Sequence, residues 1–131
     1  MSLGKKPIMM LVIIWVGVMA TAALAGSEAY QKSADEASPD VYKSVMNNGR
    51  VNVLEMRLEP GKKDNWHRHP PETVYFVKGG KLKIHLPDGT AVIKDVADGE
   101  VMWHEEWIHR VENIGQTTVF AVIVEDITRE K

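Results

Sequence analysis

The sequence predicts an all-β chain, closed into a sandwich or barrel of about eight strands. Three observations carry that expectation. Turn residues recur at short, regular spacing from Val41 onward, the segments between them are β-branched, aromatic or alternating, and none shows the periodicity of an amphipathic helix. The strands follow in order. Asn47-Asn48-Gly49-Arg50 is a hairpin signal between Val41–Met46 and Val51–Leu58, and Glu59-Pro60-Gly61 ends the second run. Thr73–Lys78 is apolar and aromatic, and Gly79-Gly80 turns it into Lys81–Leu86, where Leu82, Ile84 and Leu86 share one face. Pro87-Asp88-Gly89 leads to Thr90–Val96, and Asp98-Gly99 to Val101–Trp103. Ile108–Glu112 and Thr117–Glu125, separated by Asn113-Ile114-Gly115, complete the set. These elements place one barrel domain over residues 41–128.

The first 25 residues read as a separate segment. Lys5 and Lys6 precede an uncharged run from Ile8 to Leu24 that ends in Ala23-Leu24-Ala25, the pattern of a secretory signal peptide. The expectation is cleavage after Ala25, export to a periplasmic or secreted setting, and no stable membrane span afterwards. An uncleaved N-terminal anchor helix is the alternative, since the run approaches the roughly 20 residues that cross a bilayer. Residues 26–40, polar and rich in Ser, Ala, Asp and Glu, read as a flexible lead-in.

Of the 131 residues, 106 then remain, a size that suits one core. Without Lys5 and Lys6 the 16 basic residues fall to 14 against 18 acidic ones, a net charge of −4. That mild acidity, with no basic stripe, gives no reason to expect nucleic acid as a partner. The absence of cysteine excludes disulfides, thiolate ligands and a cysteine nucleophile.

Chemistry concentrates in Trp66-His67-Arg68-His69-Pro70-Pro71-Glu72, with His109 forty residues further on. Histidines at i and i+2 on an extended segment point the same way. A third imidazole from a distant strand would complete a three-nitrogen site for a divalent transition metal. If the pleat runs on unbroken from His69, then Thr73, Tyr75 and Val77 face inward and Glu72 faces outward. Pro70-Pro71 could reset that parity, since neither donates a ladder hydrogen bond. Trp66, Trp103 and Trp107 flank these segments and, with Tyr75, are candidates to line a ligand pocket.

Gly61, five residues, His67-x-His69 and then Gly79 after an apolar strand resemble the first motif of the cupin superfamily. Gly99, followed by His109 and Asn113, resembles the second, with Glu105-Glu106-Trp107 in place of the usual Pro-x-Gly turn. The resemblance spans roughly Val51 to Val124. It implies a jelly-roll β-barrel with a metal in its mouth, held by His67, His69 and His109. It places a fourth ligand, a glutamate in the family, at position 73, where this chain has Thr73; Glu72 stands one place early. The expectation is three histidines with solvent at the open positions; the alternative is a bulged site that uses Glu72. The metal is left open among Zn, Fe, Cu, Mn and Ni. The resemblance implies a metal enzyme of oxygenase or isomerase type acting on a small molecule. The alternative is a non-catalytic cupin that binds a small ligand or serves as a structural module, its metal lost. The exposed edges of such a barrel also imply a homodimer.

Overall fold

The computed structural model describes Glu28 and residues 30–129. The expected signal peptide lies outside the described residues. Among those described, no helix is long and apolar enough to cross a membrane. Helix α1 (Ala34–Ala37) is followed by nine strands: β1 (Tyr42–Asn47), β2 (Val51–Leu58), β3 (His67–His69), β4 (Glu72–Lys78), β5 (Gly80–His85), β6 (Ala91–Val96), β7 (Val101–His104), β8 (Trp107–Asn113) and β9 (Val119–Asp126). They form two antiparallel sheets, one ordered β1-β2-β9-β4-β7 and the other β3-β8-β5-β6.

Period-2 alternation makes the core. On β2 Leu54, Met56 and Leu58 are buried, on β4 Val74 and Phe76, and on β9 Val119, Ala121 and Ile123. Leu82, Val96 and Val111 close the space from the second sheet. Each inward stripe of the first sheet turns polar at one end. Asn47, Asn52, Glu125, Glu72 and His104 are partners in register, one from each of its five strands. Leu54, Ile123, Val74 and Met102 form the neighbouring, apolar row across β2, β9, β4 and β7.

Three features differ from the sequence reading. His67–His69 is a strand of its own. It belongs to the second sheet, whereas Glu72 opens β4 in the first, so the chain changes sheet at Pro70-Pro71. The pleat parity of β3 therefore does not carry into β4. Part of the expected lead-in also packs on the barrel: Ala34 and Ser38 are buried, the Arg68 N–H donates to Lys32 O at 2.9 Å, and the Asn65 N–H donates to Ser38 Oγ at 2.8 Å. Ser, Ala and acidic residues gave no signal of this, because the contacts are made by backbone and small side chains.

Candidate metal centre

β3 and β8 pair with His67 opposite His109, so three imidazoles from adjacent strands converge inside the barrel. His67, His69 and His109 are all buried. His67 Nε2 lies 3.0 Å from His69 Nε2 and 2.9 Å from His109 Nε2. For a metal–nitrogen bond of roughly 2.1 Å, ligands at right angles stand about 3.0 Å apart.

The outer ring nitrogens decide what fills the space between them. His67 Nδ1 is 2.8 Å from the carbonyl oxygen of Asn65, which can only accept, so Nδ1 donates. His69 Nδ1 is 2.6 Å from Glu125 Oε1 and 3.1 Å from Glu72 Oε2, so it too donates. In their neutral forms both rings then turn an Nε2 lone pair toward each other across 3.0 Å. A cation is required there, either a proton or a metal ion.

The opposite sheet supplies the compensating charge. Glu72 Oε1 accepts from Trp107 Nε1 at 2.9 Å and lies 3.3 Å from His104 Nδ1. Glu72 Oε2 is buried with no hydrogen-bond partner. Burial opposes ionisation of Glu72, but the charge of His69 and the contacts of His104 and Trp107 outweigh it and hold the carboxyl below its usual range. Burial likewise disfavours protonation of His69, yet the carboxylates of Glu72 and Glu125 prevail and raise it. Burial, with the His69 charge added, lowers His67 to about 3 and sends His109 well below the ordinary imidazole value. The three histidines, with His69, Glu72 and Glu125 as a second group sharing His69, are able to hold a metal ion. Two buried carboxylates beside the imidazoles fit that assignment, because a buried cation needs such partners.

Thr73 and Glu72 exchange the orientations that unbroken parity predicts. Glu72 faces inward, 1% exposed, and Thr73 turns to the outer face, since the sheet change at Pro70-Pro71 puts β4 in a new frame. Glu72 reaches His69 at the nitrogen turned away from the three Nε2 atoms. The same reset corrects the pocket. Tyr75 and Trp103 are exposed on the outer face of β4 and β7. Trp66 packs outside against Tyr30, with Arg110 over its ring. Trp107 alone of the four lines the cavity, stacked on His104 at 4.3 Å and edge-on to His109 at 3.8 Å. That cavity, of about 60 Å³, is walled mainly by apolar side chains such as Phe76, Ile84 and Met102, with Glu72, His69 and His109 among its polar lining.

Behind His67, Tyr42 donates to Asp64 Oδ2 at 2.7 Å and Val111 N–H to Asp64 Oδ1 at 2.6 Å. Burial raises Asp64 to about 6 from 3.8, despite these two bonds. Ionised Asp64 therefore costs stability. The penalty is absent below pH 4, grows as pH rises from 4 to 6, and reaches about 3 kcal/mol above that window. In metal-free protein, Asp64→Asn should gain stability relative to wild type as pH rises from 4 to 7. Urea midpoints across that range check it; a difference independent of pH would contradict the assignment.

Asp64, Glu125, Asn52 and Tyr42 escaped the sequence reading. The signal for Glu125 and Asn52 was present: each occupies the inward parity of an otherwise apolar stripe. His85 is partly covered and lies 3.1 Å from Glu112. Glu105 and Glu106 are exposed and meet Trp103 Nε1 and Arg68.

No protein-family model and no curated protein matches the sequence. Solved structures do match. A cupin domain from Bordetella pertussis is 28% identical over 73% of this chain and 95% of its own, with a TM-score of 0.60. A double-stranded β-helix protein from Klebsiella pneumoniae is 17% identical over 76% of this chain and 85% of its own, TM-score 0.54. A cupin-family protein of the RmlC-like type from Methanocaldococcus jannaschii is 16% identical over 66% and 78%, TM-score 0.54. The last two bear on fold alone. The Bordetella pertussis domain, with the paired glycine-and-histidine motifs seated in a two-sheet jelly roll, supports placing the chain in the cupin superfamily.

Proposed function

We propose that this chain is an exported single-domain cupin that holds one divalent transition metal on His67, His69 and His109 and presents it to a small, largely apolar molecule. The observation that carries this reading is the convergence of three buried Nε2 atoms, two of them turned inward as lone-pair donors by the hydrogen bonds their Nδ1 atoms make. A bound metal would supply Lewis-acid or redox chemistry, and the reaction class we assign is oxygenase or isomerase. Trp107 and Glu72 would orient the ligand beside it, and the apolar walls would exclude water. The cavity's size limits an unadapted ligand to a few non-hydrogen atoms. That small volume also supports a second reading, a binding cupin without turnover.

Elemental analysis tests the metal. Wild-type protein, purified from its native compartment, is expected to carry about one equivalent, and the His67→Ala/His69→Ala variant almost none. Equal content in both would refute the site.

We assign a second copy of the chain as the protein partner. Val101 and Trp103 on the edge strand β7 lie beside Tyr75, Val77 and Val124 on the outer face, all exposed. Apolar side chains gathered at an unpaired strand edge favour association. Sedimentation should show a dimer that Trp103→Glu weakens at least tenfold; a wild-type monomer at micromolar concentration would rule this out.

A further inference from the structure

Glu125 lies on β9, in the sheet opposite the histidine-bearing strands, and reaches the outer nitrogen of His69 at 2.6 Å. Its second oxygen accepts from Asn52 Nδ2 at 2.9 Å, and Asn52 Oδ1 accepts from Ser44 Oγ at 2.7 Å. Glu125 and Asn52 are register partners and both are buried, while Ser44 is exposed on β1. The result is one directed chain of hydrogen bonds, Ser44 to Asn52 to Glu125, meeting the N–H of His69 at its inner end.

From this geometry we infer that Glu125 is the positioning residue of the metal centre, fixing the tautomer and ring orientation of His69, with Asn52 fixing Glu125 in turn. The inference rests on the metal reading of His67, His69 and His109. An imidazole has two tautomers and a free ring rotation, and only one combination directs the Nε2 lone pair at the other two histidines. A carboxylate at 2.6 Å selects that combination, because it accepts the Nδ1 proton and stabilises no tautomer that lacks it. Glu72 cannot do the same work. Its Oε2 stands further off, at 3.1 Å, and makes no hydrogen bond, while its Oε1 is taken by Trp107. One N–H cannot satisfy both carboxylates, and the shorter contact to Glu125 identifies the acceptor.

Asn52 contributes by constraining the carboxylate. Its side-chain amide could rotate, but the Glu125 carboxylate only accepts, so Nδ2 is directed at Glu125 and Oδ1 is left to accept from the Ser44 hydroxyl. Three strands of one sheet thus determine the aim of a ligand borne by the other sheet.

The test uses the full mature chain and cobalt(II) as the probe, with wild type, Glu125→Gln and Glu125→Leu compared. Partners of this kind change metal affinity by roughly 10- to 100-fold. Glu125→Gln, which keeps an acceptor but loses the charge, should weaken cobalt binding by about tenfold, and Glu125→Leu by about 100-fold. Long-range 1H–15N spectra of the zinc-loaded protein give an independent readout. Wild type should show a far-downfield His69 Nδ1 proton, moved upfield in Glu125→Gln and absent in Glu125→Leu. If Glu125→Leu fails to fold, the isosteric glutamine variant and its spectrum still decide the matter. Wild type that binds cobalt tightly, with glutamine and leucine variants matching it, overturns the Glu125 assignment alone. Wild type that binds no metal overturns the metal reading and this one with it.

Discussion

A Gly79→Ala chain is expected to lose more than about 4 kcal/mol of stability, a large share of what a domain of this size possesses. The added methyl would stand 2.0 Å from Val96 O, 2.7 Å from Val96 C and 2.8 Å from Ala97 C. All three are backbone atoms, so no side chain can swing aside. Gly79 is also pinned: its N–H donates to Asp98 Oδ1 at 2.8 Å, and its carbonyl accepts from Thr117 Oγ1 at 3.2 Å. Here the chain leaves the first sheet for the second, wedged against the β6–β7 turn. Gly61→Ala is the instructive contrast. Gly61 has φ +75° with open space around it, so the cost there is left-handed strain alone, about 1–2 kcal/mol. Urea unfolding of both variants should rank them in that order. A Gly79→Ala loss under 1 kcal/mol would show that the corner yields.

The second large effect concerns the metal as part of the fold. A ligand at a thousand times its Kd adds about 4 kcal/mol of stability when only the native state binds it. In a domain of roughly 100 residues that raises Tm by on the order of 15–30 °C. Zinc should produce such a rise in wild type. His67→Ala should abolish it, since His67 Nε2 lies within 3.0 Å of both other Nε2 atoms. The informative quantity is each protein's own difference with and without zinc, because removing a fully buried ring also changes the metal-free baseline. Equal shifts in the two proteins would place the metal elsewhere.

The strands and the trio of histidines were legible in the sequence because both rest on local signals. Asn-Asn-Gly and Pro-Asp-Gly mark turns by their own conformational preferences, and alternation such as Leu82, Ile84 betrays a half-buried strand. Spacing between Gly61, His67, His69 and Gly79 carried the motif, and the structure gives those glycines different reasons: conformation at Gly61, room at Gly79. Orientation beyond Pro70-Pro71 was not legible. Parity is transmitted only along a continuous strand, and the two prolines carry the chain between sheets. Unbroken parity therefore puts Glu72 and Tyr75 on the wrong faces, and only the alternative, a reset at Pro70-Pro71, turns Glu72 inward. Glu125 was hidden for another reason. Its role depends on pairing with Asn52 and Glu72 on strands 73 and 53 residues away, which no local pattern encodes.

β3 is three residues long, sits at the border of its sheet and pairs with β8 alone among the strands. Few backbone bonds therefore resist its departure, and such segments exchange their amide protons through small local openings. Two of the three convergent imidazoles ride on this strand and the third on its only neighbour. An ion shared among them would act as a rivet across the weakest seam of the barrel. Occupancy would then be written into the breathing of residues 67–69, making their exchange rate a gauge of how much metal the protein holds.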